Sequence, residues 1–177
     1  MATYKGVMLL EADPTANYER GVKEFAQDMV KEGRLVYAFT SRGSPVHLLL
    51  KDVPGLKFFI LSESSYPKQS AGSPEVMVPR SDHSVLLDVT DKAVTGNPPP
   101  ATAIIFDNIS SLILDSGFPE CYKFIRQMNE ILSRGNVTSI FLVLSKAHDD
   151  KTMSILRNLY SGHLTYDKSG MRVTKQT

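Results

Sequence analysis

Five short apolar runs, residues 5–10, 35–40, 56–61, 102–106 and 137–144, constrain this chain more than any other feature. Each is strand-length, rich in Leu, Ile, Val or Phe, and flanked by turn-forming residues, which is the signature of a strand buried on both faces. The segments between them carry the period of a helix. Residues 17–32 place Val22, Phe25, Ala26, Met29 and Val30 on one side, with Lys23, Glu24, Asp28 and Lys31 on the other. Asn17 suits a helix start, and Gly33 suits a left-handed stop. Buried strands joined by helices predict right-handed βαβ units and a parallel sheet.

The remaining segments fill in that plan. Residues 44–51 read as a short helix with Pro45 in its first turn, and residues 84–94 read as another helix. Residues 96–100, Gly-Asn-Pro-Pro-Pro, stop the latter. Residues 109–114 begin a helix, and residues 118–133 give the clearest helical period, on Cys121, Phe124, Ile125, Met128, Ile131 and Leu132, closed by Gly135. Residues 151–160 form a last helix on Met153, Ile155, Leu156 and Leu159. Residues 163–166 and 171–174 alternate about Asp167-Lys168-Ser169-Gly170, a hairpin. Residues 62–80, rich in Ser and Pro, read as one long loop bracketed by Tyr66 and Arg80, and loops of that length tend to serve binding. The expected fold is an α/β, doubly wound, mostly parallel sheet flanked by helices, with an antiparallel C-terminal hairpin at one edge, in a single domain over residues 1–177.

Composition narrows the function classes. Twenty Lys and Arg against nineteen Asp and Glu give a net charge of +1, which argues against nucleic acid as a partner. The single cysteine, Cys121, has no partner for an internal disulfide, and no apolar run approaches the length of a bilayer span. A cytoplasmic protein is expected.

Two segments bear a specific resemblance. The stretch LLEADPTANYERGVKEF resembles the pattern LIEGDPGSGKTTLALQF of RecA-like ATPase domains, in particular the KaiC-like branch common in archaea. The stretch TAIIFDNISSL resembles that family's second nucleotide motif, a strand ending in Asp. The likeness extends over most of the chain and implies the RecA-like fold. The chemistry departs from it. The family's phosphate loop uses glycines because backbone N–H groups must approach phosphate closely. Here the loop is Ala12, Asp13, Pro14, Thr15, Ala16, Asn17, Tyr18 and Glu19, with Ala12, Thr15 and Asn17 where the family has glycines. Tyr18 stands at the phosphate-neutralising lysine and Glu19 at the magnesium-holding hydroxyl. Asp107 matches the second motif, as a relic metal ligand or, by preference, as a cap of the next helix. No water-activating acid appears in Thr40-Ser41-Arg42-Gly43.

These replacements imply a chain that is not an ATPase, with ATP and magnesium not expected as cofactors. The first expectation is a regulatory or scaffolding module working by protein contact or self-association. Its alternative is residual nucleotide or nucleic-acid binding through the altered loop. Elsewhere, His47, His83, His148 and His163 lack ligand spacing, Cys121 reads as inert core, and His148-Asp149-Asp150 reads as solvated loop.

Overall fold

The computed structural model describes residues 4–63, 68–96 and 99–176. Among these described residues, nine strands form one sheet: β1 (Gly6–Ala12), β2 (Leu35–Ser41), β3 (Leu56–Ser62), β4 (Lys68–Gln69), β5 (Glu75–Pro79), β6 (Thr102–Phe106), β7 (Val137–Leu144), β8 (Gly162–Asp167) and β9 (Gly170–Gln176). Six helices are interspersed: α1 (Tyr18–Lys31), α2 (Pro45–Leu50), α3 (His83–Val94), α4 (Ile109–Ser116), α5 (Phe118–Leu132) and α6 (Asp150–Arg157). The strand order is β4-β5-β3-β2-β6-β7-β1-β8-β9, parallel from β5 through β8 and antiparallel at both ends.

Alternation along the strands gives each face of the sheet its own core. On one side Val22, Phe25 and Met29 of α1 and Val46 and Leu50 of α2 pack on Leu10, Ala38, Ile105 and Ile140. On the other, Leu86 of α3, Leu112 of α4, Phe124 and Met128 of α5 and Leu156 of α6 cover Phe39, Phe106 and Phe141. Phe106 stacks on both Phe39 and Phe141 across adjacent strands. This is the expected doubly wound arrangement with its C-terminal hairpin.

Two expectations are corrected. Residues 62–80 are not one loop. They hold β4 and β5, and β5 extends the parallel sheet through its pairing with β3. Tyr66, which was to bracket that loop, lies outside the described residues. Among the described residues β4 and β5 add to the five central strands and the hairpin pair expected, and the hairpin joins the sheet at its edge as expected, with β8 parallel to β1. Gly33 ends α1 with φ of 76° as read, whereas α5 ends through Ser133 in helical geometry and Gly135 has no positive φ.

Candidate functional site

In an open parallel sheet the ends of neighbouring strands and the loops beyond them form the place where ligands meet the protein. Here β1, β2, β6 and β7 bring together the loop of residues 12–19, Thr40 with Ser44, Asp107, and Ser145 to His148. The first of these is closed on itself. Ala12 is buried at the end of β1, and its carbonyl accepts the Ser145 N–H at 3.0 Å. Asp13 turns its carboxylate back into the loop, where Oδ1 accepts the Thr15 N–H at 2.9 Å and the Thr15 hydroxyl at 2.8 Å. Lys146, from the turn after β7, reaches the same carboxylate at 3.1 and 3.2 Å. The Thr15 hydrogen bonds, followed by Lys146, hold the Asp13 carboxyl down at about 2.

Other loop N–H groups are spent in the same way. Asp13 N–H donates to the Tyr166 carbonyl, Ala16 N–H to Asp13, and Tyr18 N–H to Ala16. Among the described residues no non-glycine residue has positive φ, so the loop follows ordinary backbone geometry past Pro14. Asn17 stands at the helix start with φ −79° and ψ 61°, and its side chain makes no capping bond, against expectation. Glu19 adds a carboxylate to the first turn of α1. Tyr18 is half-buried against the α1-side core. Burial first, then the Asp107 and Glu19 carboxylates, push its phenol up. A bulky ring therefore sits within the field of Asp107, where the family resemblance would put a flexible cation.

Asp107 is not the cap of α4. That role belongs to Asn108, whose side chain accepts the Ser111 N–H at 2.8 Å. Asp107 is instead 7% exposed at the end of β6, where Oδ2 accepts the Thr40 hydroxyl at 2.8 Å and the Ser44 hydroxyl at 3.2 Å. Burial raises its carboxyl above the usual range, against the opposing pull of those hydrogen bonds. Ser44 also caps α2 by accepting the His47 N–H, which makes one polar spine from Asp107 into that helix. Beyond it, the buried His47 takes the Gly43 N–H on Nδ1 and faces Glu75 through Nε2 at 2.9 Å, and Arg42 meets Glu75 at 2.8 Å. Arg80 crosses above, from Ser41 at 2.7 Å to Asp115 of α4. The space left between Arg80, Asp107 and Asn108 is about 10 Å³, at the limit of what one water needs.

In His148-Asp149-Asp150 the two acids are exposed, as expected, while His148 is partly buried and bonded. Asp149 caps α6 by accepting the Thr152 N–H, and His148 Nε2 lies 2.9 Å from the Ser110 hydroxyl. Spacing alone could not have found this pair, because Ser110 and His148 are joined only by the pairing of β6 with β7. Ser110 is 8% exposed and already accepts the Leu144 N–H, so the pair ties the end of β7 to α4. Cys121 is fully buried and its thiol is pushed up to about 12, which leaves it unreactive. Among the described residues no group of three or more His, Cys, Asp and Glu could hold a metal ion. No helix there is long and apolar enough to cross a membrane.

One open hollow adjoins the loop, a polar cavity of about 290 Å³ lined by Thr15, Ala16, Asn17, Arg20, Tyr166 and Lys168, among others. It lies beside the α1 terminus, toward the β8–β9 hairpin and away from Asp107.

No family model matches the chain, and no curated protein matches it. One similar solved structure, from a Pyrococcus horikoshii OT3 protein described as a structural study of a project target, is 12% identical. It matches 99% of this chain and 88% of its own, with a TM-score of 0.65. At that identity the likeness is one of fold. The fold is widely shared, with 173 matching solved chains, so it selects no activity.

Proposed function

We propose that this chain is a non-catalytic module of RecA-like, KaiC-like descent, regulatory or scaffolding, that works by protein contact and has lost ATP hydrolysis. The observation that carries the reading is the closing of the loop on Asp13, a residue the resembled pattern also has, by Thr15, which stands at one of that pattern's glycines, and by Lys146. A phosphate loop functions by presenting N–H groups and a cation to an anion. Here the Thr15 N–H, the Thr15 hydroxyl and the Lys146 ammonium already serve an anion that belongs to the chain itself. An incoming phosphate would meet a carboxylate in place of donors, with Glu19 adding like charge nearby. Phosphoryl transfer depends almost wholly on positioning and electrostatic clamping, and neither is available. Incubation with ATP and magnesium is therefore expected to release no phosphate above a protein-free control. Release that scales with protein concentration and disappears in a Lys146→Ala variant would overturn the reading.

A second reading, weak anion binding by an altered geometry, is favoured by the polar cavity beside Asn17. Arg20 and Lys168 line it beside Asp167, whose carboxylate is held by Arg172, and among the described residues neither of the two cations forms an ion pair. That reading requires ATP to shift backbone resonances of residues 15–20 and 166–168, and inorganic phosphate to compete with it.

A further inference from the structure

A second hollow lies far from the strand ends just described. It is an open groove of about 730 Å³ at the opposite edge of the sheet, where β2 and β3 begin and the turn before β5 closes over. Tyr37, Phe59 and Val76 form its floor, and Lys51 and Lys57 stand on its rim. These floor residues come from three adjacent strands and point to one face, since Tyr37 pairs in register with Lys57, and Phe59 with Val76. Leu35, two residues before Tyr37 on that same face, is 42% exposed. The walls are two tight turns, Pro54-Gly55 and Gly72-Ser73-Pro74.

The charge of the groove is one-sided. It has two lysines and no acidic residue in its lining. Among the described residues neither lysine forms an ion pair. Lys57 lies over the Tyr37 ring at 5.8 Å, and Lys51 acts on Glu75 only at a distance. Glu75, the nearby carboxylate, is already engaged by His47 and Arg42. A groove with an apolar floor and unneutralised cations at its lip fits a segment that supplies an apolar anchor and acidic flanks. Stacked nucleic-acid bases fit less well. Tyr37 already stacks on Phe59 at 5.5 Å and 9°, with Lys57 over its ring, so little π-face is left for a base.

Resting on the reading of the chain as a protein-contact module, we infer that this groove docks an acidic peptide segment of a partner protein through one aromatic or aliphatic anchor. The test uses the full chain, isotope-labelled, titrated with the blocked peptide Asp-Glu-Asp-Phe-Glu-Leu-Asp-Glu and with a counterpart carrying Lys for every acid. Saturable shifts are expected at Tyr37, Lys57, Phe59, Val76 and the two turns, with none from the basic peptide. The double variant Lys51→Glu and Lys57→Glu, whose spectrum elsewhere should match the wild type, is expected to bind at least about tenfold more weakly. The inference is overturned by no shifts up to about 5 mM peptide, by equal binding of the basic peptide, or by tighter binding of an oligouridylate at these residues. Concentration-dependent shifts here without peptide would also overturn it, in favour of a second copy. Peptide shifts elsewhere on the surface would remove the groove and leave the module reading intact. ATP-dependent shifts at residues 12–19 would do the reverse.

Discussion

The carboxylate of Asp13 takes two hydrogen bonds from Thr15 and an ion pair from Lys146, and each favours its charged form. Its acidity is therefore the sharpest residue-level readout of the closed loop. With the folded value held at about 2 and the ordinary value at 3.8, Asp13 stabilises the fold above the ordinary value. That contribution fades as pH falls toward the folded value. A side-chain carboxyl titration by NMR is expected to give a midpoint near 2, and a midpoint near 3.8 would mean the loop is open in solution. Asp107 has the opposite sign. Burial raises its carboxyl, so its contribution is present at low pH and is lost as pH rises through the folded value. An Asp107→Asn variant, which keeps a carbonyl for Thr40 and Ser44 without the buried charge, should match or exceed the wild type in denaturant midpoint at neutral pH. Asp107→Ala leaves those hydroxyls without their acceptor and should cost about 1–3 kcal/mol. Equal losses in both variants would refute the assignment of burial as the dominant influence.

At the scale of elements, α1 is locked against the C-terminal hairpin by a missing side chain. A Cβ on Gly21 would lie 2.5 Å from the Tyr166 ring and 2.8 Å from the Met171 methyl. Helix propensity alone would make Gly21→Ala stabilising by about 1 kcal/mol. The overlap falls on a ring held by β8, so overpacking of about 1–3 kcal/mol should outweigh it and lower the melting temperature. A rise would show that the hairpin sits more loosely on α1 than described. The hairpin was legible in the chain because Asp167 to Gly170 mark a turn between alternating residues. Its parallel pairing to β1 was not legible, because nothing local encodes which strand lies alongside. The five buried strands were legible for the same reason that Phe106 and Phe141 are core: continuous apolar runs have no other place to go. By contrast β5, Glu75–Pro79, is short, half-exposed and ends in proline, so its local pattern resembles the loop around it. Asp107 was misread as a cap because the adjacent Asn108 does that work. The partners that decide the fate of Asp107, Thr40 and Ser44, are 67 and 63 residues away.

Over the whole molecule, the two cores fix a sheet whose strand ends at one edge are filled by the chain's own groups, while the opposite edge carries an open groove. The loop of residues 12–19 keeps the layout of strand, turn and helix, but Asp13, Thr15 and Lys146 complete among themselves the interactions that a phosphate would need. Ligand-dependent melting reports whether that loop is closed to phosphate. A ligand at about ten times its dissociation constant stabilises by about 1.4 kcal/mol. For a chain of this size that is a rise of about 3–6 °C. With ATP and magnesium at about 5 mM, a dissociation constant at or below about 0.5 mM would therefore be plain in a melting curve. With the loop closed, the melting temperature is expected to be unchanged by ATP and magnesium, and a rise of several degrees that vanishes in a Lys146→Ala variant would mean that the loop admits phosphate.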